Sequence, residues 1–183
     1  MEEKHAPMTN RFAQMDCFIL AGGQNNPQED FEPEGDLTRL ESGYRRYAAV
    51  FERVRLVLKP NQAVERYLNY PHVCDDDPRS SSAVGLATAL RNSRSEAVFI
   101  GSSEIRDFPL DLVVDLVNKY DNELFLGYRI GDQPQVVFGI CHRELAGRLQ
   151  EMTELSRSKL EQLLSECGRL LPMPKSATEH PAG

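Results

Sequence analysis

The sequence predicts an α/β fold: one three-layer domain with helices on both faces of a mostly parallel sheet of about six or seven strands. Two observations predict it. The continuous apolar runs Cys17-Phe18-Ile19-Leu20 and Ala97-Val98-Phe99-Ile100 are too short for core helices and read as strands buried on both faces. Around them, apolar stripes of helical period alternate with further strand-like runs, the order of a doubly wound sheet.

The first run leads into Ala21-Gly22-Gly23. A glycine pair lets the backbone turn sharply and approach a ligand with no Cβ in the way. Amide groups at the end of such a strand can bind phosphate or a base edge, so Leu20, Ala21, Gly22 and Gly23 are candidate binding residues. A simple tight turn is the competing reading. Gln24 to Asp36 follows as a loop rich in Asn, Pro, Gln and acid. A helix is expected from Ser42 to Glu52, with Ser42 as N-cap and Tyr44, Tyr47, Ala48 and Phe51 on one face. Val54 to Leu58 reads as the second strand, ended by Lys59-Pro60. Asn61 is expected to cap a short helix through Leu68, and His72-Val73-Cys74 to form a brief third strand.

Asp75-Asp76-Asp77-Pro78 opens a polar loop, and Ser80-Ser81-Ser82 leads into a helix expected over Val84 to Asn92. After the strand Ala97 to Gly101, a helix follows Pro109 with Leu112, Val113, Leu116 and Val117 as its apolar stripe. Leu124 to Tyr128 and Val136 to Ile140 read as further strands. Helices are expected from Arg143 to Met152 and from Ser158, where Ser158 and Glu161 have capping-box spacing. Three polar loops, 22–36, 75–82 and 101–107, then lie at carboxyl ends of strands, where open α/β sheets bind ligands.

The 183 residues suffice for a substantial core. They divide into a flexible leader (1–14), the domain (15–171) and a polar tail (172–183). A net charge of −7 with no offsetting basic stripe argues against nucleic acid as a partner. No apolar run approaches the ~20 residues that span a membrane, and Met1 to Met15 lacks a signal-peptide core, so a cytoplasmic protein is expected. Cys17, Cys74, Cys141 and Cys167 form no CxxC pair and read as reduced thiols in or near the core. There is no Ser-His-Asp set, Walker motif or full dinucleotide fingerprint, so no catalytic residue is assigned.

The order of these motifs resembles the MobA family of molybdenum cofactor guanylyltransferases, within the wider nucleotidyltransferases. The residues that carry the likeness are Leu20-Ala21-Gly22-Gly23, Gly35-Asp36, the segment Asp75 to Leu90, Val98 to Pro109, and Gln133-Pro134 with Phe138-Gly139-Ile140. The resemblance spans roughly Cys17 to Leu171. It implies a Rossmann-like domain that joins GTP to molybdopterin with Mg²⁺ and releases pyrophosphate. It also implies that Asp75 or Asp76 recognises the guanine and that Glu104 stands at the Mg²⁺-binding position, with Asp107 as a neighbouring alternative.

Several positions depart from the family pattern. The first loop is longer, and where the family has Arg and Lys it holds Glu29, Asp30, Glu32, Glu34 and Asp36. Asp36 matches the family Asp, but Leu37 stands at the Lys position, and the first basic residue after Arg11 is Arg39. Carboxylates facing a triphosphate would each cost about 4 kcal/mol at ~4 Å in a surface-like dielectric. Lys59 occupies a place where the family often has Asn. Of the family's Gly-Pro-Leu-Ala-Gly, aligned on Ser81 to Gly85, only Gly85 is kept. Three functions follow from this: a guanylyltransferase of cofactor maturation, a catalytically degenerate binding module or scaffold, or a nucleotidyltransferase with another substrate such as a sugar phosphate or cytidine-type acceptor. The second would serve a molybdoenzyme or a cofactor-maturation protein.

Overall fold

A computed structural model describes residues 12–21, 31–62, 65–75, 77, 81–103, 109–152 and 156–174. Through these residues the chain forms β1 (Asp16–Leu20), the hairpin strands β2 (Pro33–Glu34) and β3 (Leu37–Thr38), α1 (Arg39–Ala48) and β4 (Arg53–Leu58). A 3₁₀ turn (Glu65–Tyr67), β5 (His72–Cys74), α2 (Ser82–Asn92), β6 (Ala97–Ser102) and α3 (Leu110–Lys119) follow. The chain closes with β7 (Phe125–Ile130), β8 (Gln133–His142), α4 (Leu145–Glu151), α5 (Arg157–Cys167) and β9 (Gly168–Pro172).

Seven strands make one sheet in the order β5-β4-β1-β6-β8-β7-β9, and β8 alone runs antiparallel to its neighbours. The expected mostly parallel α/β sheet is thus present. β1 lies in its interior, with all five residues buried between β4 and β6. Because successive strand side chains point to opposite faces, this one strand feeds two cores. Cys17 and Ile19 pack with Leu40 and Tyr47 of α1 and Leu112, Val113 and Leu116 of α3. Phe18 and Leu20 pack with Leu86 and Leu90 of α2, Leu145 and Leu149 of α4, and Leu160 and Leu164 of α5. Those are the two outer layers.

Local chemistry moves several boundaries from where the sequence pattern puts them. α1 starts at Thr38, not Ser42: the Thr38 side chain accepts from the Glu41 N–H, and the Glu41 carboxylate accepts from the Thr38 N–H. This reciprocal box satisfies two donors at once, which a lone Ser42 would not. α5 is capped by Ser156, which accepts from the Lys159 N–H, rather than by Ser158. The helix expected after Asn61 is reduced, among the described residues, to the 3₁₀ turn. β9 and the β2–β3 hairpin add strands where the sequence pattern predicts none. Phe12, assigned to the leader by sequence, is buried with its ring 5.5 Å from that of Phe51.

The cysteine expectation holds for three residues and fails for one. Cys17 and Cys141 are buried and Cys167 is half-buried, whereas Cys74, at the end of the edge strand β5, is exposed. Burial pushes the Cys17 and Cys141 thiols well up, which keeps them protonated and inert. No described helix is long and apolar enough to cross a membrane.

Candidate functional site

The carboxyl ends of β5, β4, β1 and β6 lie side by side, and the candidate residues that the structure describes gather there. Beyond Leu20, the Ala21 N–H donates to the Val57 carbonyl at 3.2 Å, carrying the β1–β4 ladder one residue past the strand. The Leu20 carbonyl accepts from Ser103 Oγ at 3.3 Å, which ties the end of β1 to the turn after β6. Leu20's methyl groups lie against Gly85, where a Cβ would stand 3.4 Å away, so α2 packs close behind β1. Ser81 caps α2 by accepting from the Val84 N–H at 3.2 Å. Of the serine triplet, this residue has a defined structural task.

Asp75 enters from the neighbouring edge. Its N–H donates to the Leu58 carbonyl at 2.8 Å, and its side chain is only 5% exposed. A carboxylate so buried needs partners. Lys59 Nζ donates to Asp75 Oδ2 at 2.9 Å and to the Asp77 carbonyl at 2.7 Å. The Asp77 N–H donates to Asp75 Oδ1 at 3.2 Å. Asp75 and Ala21 flank the end of β4 on either side, about 10 Å apart by two strand spacings. The structure therefore brings Leu20, Ala21 and Asp75 to one edge. Gly22, Gly23, Asp76 and Glu104 lie outside the described residues.

Lys59, which the sequence pattern marks only as the end of a strand, is the partner that holds Asp75. The pair depends on strand adjacency: a cation directly after β4 and an acid directly after β5 end up level only because those two strands lie side by side in parallel, which consecutive residues do not reveal. Gly101 shows a second hidden constraint. A Cβ there would collide with the Tyr47 ring, so only glycine lets that tyrosine lie over β6.

The described end of the acidic loop is fastened beside this edge. Phe31 packs edge-on against Tyr67 with ring centres 5.3 Å apart, and the Thr38 hydroxyl meets the Tyr67 hydroxyl at 3.0 Å. Gly35, at φ +68°, turns the hairpin, and the Asp36 carbonyl accepts from Arg66 Nη2 at 3.4 Å. Arg66 also donates to Glu41 through Nε at 3.0 Å and Nη2 at 2.5 Å. Arg66 and the Thr38 N–H together hold Glu41 down at about 2, against the opposing effect of burial. Glu32 and Asp36 remain exposed, turned to solvent.

Among the described residues, no three of His, Cys, Asp and Glu come together as metal ligands. Asp75 is engaged by Lys59. The described residues by themselves therefore do not fit a divalent cation.

No family model matches the chain. It is 25% identical over 156 residues to the probable molybdenum cofactor guanylyltransferase of Aquifex aeolicus, covering 83% of this chain and 76% of that protein. In fold it is similar to the molybdopterin-guanine dinucleotide biosynthesis protein A of Archaeoglobus fulgidus, with a TM-score of 0.65, 13% identity, and coverage of 88% of this chain and 84% of that one. It is likewise similar to the Mycobacterium tuberculosis protein Rv0371C solved in complex with manganese, with a TM-score of 0.65, 16% identity, and coverage of 88% and 89%. This chain therefore has the nucleotidyltransferase-type α/β fold and resembles the MobA-like guanylyltransferases in sequence.

Proposed function

We propose that the chain binds GTP at the carboxyl edge of β5, β4, β1 and β6 and joins it to molybdopterin in molybdenum cofactor maturation. The observation that carries this reading is the buried Asp75 carboxylate, held in one orientation beside the end of β4. A fixed carboxylate can accept two parallel N–H donors, the pattern that guanine presents through N1–H and its exocyclic amine. Backbone amides beyond Ala21, at Gly22 and Gly23, would approach the phosphates. A molybdopterin phosphate oxygen would attack the α-phosphorus of GTP in line. The new P–O bond forms as the bond to the bridging oxygen breaks, and pyrophosphate leaves with the electron pair. The protein's share is positioning and charge stabilisation rather than covalent chemistry. The fold neighbour solved with manganese supports a divalent cation in this reading, and the family resemblance would make Glu104 its protein ligand.

A second reading is favoured by one specific feature. No Lys or Arg lies between Ala21 and Arg39, while the loop there is acidic. A binding module that holds nucleotide or cofactor for a partner molybdoenzyme or cofactor-maturation protein needs no cations to stabilise a leaving pyrophosphate.

Calorimetric titration of GTP with and without Mg²⁺ tests the first reading on the wild type, Glu104→Ala and Asp75→Asn. Binding should strengthen with Mg²⁺, lose that dependence in Glu104→Ala, and weaken at least about tenfold in Asp75→Asn. No heat for GTP at millimolar concentration would sink it. Pyrophosphate release on adding molybdopterin separates the enzyme from the binding module.

A further inference from the structure

Lys59 is the first residue after β4, and its ammonium bridges two points of the turn after β5: the Asp75 carboxylate at 2.9 Å and the Asp77 carbonyl at 2.7 Å. Its own backbone is anchored too, since the Lys59 N–H donates to Gln62 Oε1 at 2.8 Å. The two oxygens of Asp75 are held from different sides, Oδ2 by the ammonium and Oδ1 by the Asp77 N–H. That fixes the plane of the carboxylate rather than merely its charge. Each oxygen still carries a second lone-pair direction. The Lys59 side chain is 21% exposed and the Asp75 side chain 5%, so the carboxylate is buried while the cation that holds it partly reaches solvent.

We propose that Lys59 is a positioning residue for base selection: it sets the Asp75 carboxylate so that both oxygens face the paired N–H donors of a guanine edge. The inference rests on the nucleotide-binding reading above and adds to it the residue that decides specificity. A base with one of the two donors missing leaves one oriented oxygen without its partner. Buried sites discriminate strongly on that basis. Hypoxanthine is such a base: it keeps N1–H and O6 but lacks the exocyclic amine. Without Lys59 only the Asp77 N–H holds the carboxylate, through Oδ1, so its plane is no longer fixed and discrimination between the two bases collapses even where binding survives.

The test is the ratio of dissociation constants for ITP and GTP, measured by competition against a fluorescent GTP analogue. The wild type should prefer GTP by at least roughly tenfold. In Lys59→Met the ratio should fall towards one, with GTP losing far more than ITP. Lys59→Arg, which keeps a cation with several N–H donors, should restore most of the ratio. Should Lys59→Met fail to fold, Lys59→Gln keeps a donor but no charge and should give an intermediate ratio. Equal weakening of GTP and ITP in these variants would make Lys59 a structural ion-pair partner and overturn the inference. A wild type that binds neither nucleotide would overturn the nucleotide reading itself, and this one with it.

Discussion

Asp16 opens β1 at the end of the sheet opposite the candidate site, and it is 1% exposed. Its carboxylate accepts from Arg53 Nε at 2.5 Å, Ser93 Oγ at 2.9 Å and the Arg94 N–H at 2.8 Å. Ser95 Oγ in turn accepts from the Asp16 N–H at 3.1 Å and from Arg53 Nη2 at 2.9 Å. Burial by itself would raise the Asp16 pKa, but these hydrogen bonds outweigh it and bring it down to about 2. Asp16→Asn keeps the size but turns an amide N–H₂ towards donors. It should lower stability by about 2 kcal/mol, seen as an earlier urea midpoint with an unchanged slope. GTP affinity should not move, because the change lies at the far end of β1. Sequence could not have found this cluster: Asp16, Arg53 and Ser93 to Ser95 are far apart along the chain and meet only because β4 and β6 flank β1.

At the scale of the element, α1 shows how a start signal is chosen. Ser42 and Thr38 are both eligible N-caps by residue type. Thr38 wins because Glu41 stands three residues on to close the box and because its hydroxyl also meets Tyr67. Thr38→Ala should cost about 1 kcal/mol for the cap. It should also loosen the contact between the hairpin and the 3₁₀ turn, with faster amide exchange at Glu41 and across residues 31–38. Unchanged exchange there would show that Phe31 and Arg66 hold the hairpin alone. The candidate site divides in the same way. Leu20 and Ala21 were legible because a buried strand and its end are written in consecutive residues. The Lys59–Asp75 pair was not, since it joins the ends of two neighbouring strands.

For the whole molecule, Asp16 and Glu41 tie separate regions of the fold: the amino end of β1, and the junction of α1 with the 3₁₀ turn. Both carboxyls have folded-state values depressed to about 2. A depressed carboxyl contributes stability that is present above its unfolded value and lost as pH falls through the folded one. The contribution should therefore be complete above about pH 5 and disappear between about pH 4 and 2, given unfolded values near 3.9 and 4.3. Thermal melts across that range should show a steep fall in the wild type and a flatter profile in Asp16→Asn/Glu41→Gln. Parallel profiles for the two proteins would mean that other carboxyls drive acid unfolding.

The residues in their linear order determined the α/β class, the two central strands, the run of helices and the likeness to guanylyltransferases. Each of those is encoded by neighbours: an apolar run, a 3.6-residue stripe, a motif order. Tertiary structure alone decided that β8 turns back antiparallel between β6 and β7, that β9 extends the far edge, and that Cys74 faces outward. It also decided that Asp75 is clamped by Lys59. The reason is physical. Periodicity tells a segment which face to bury, whereas strand order and ion pairing depend on which distant segment supplies the other half of the contact.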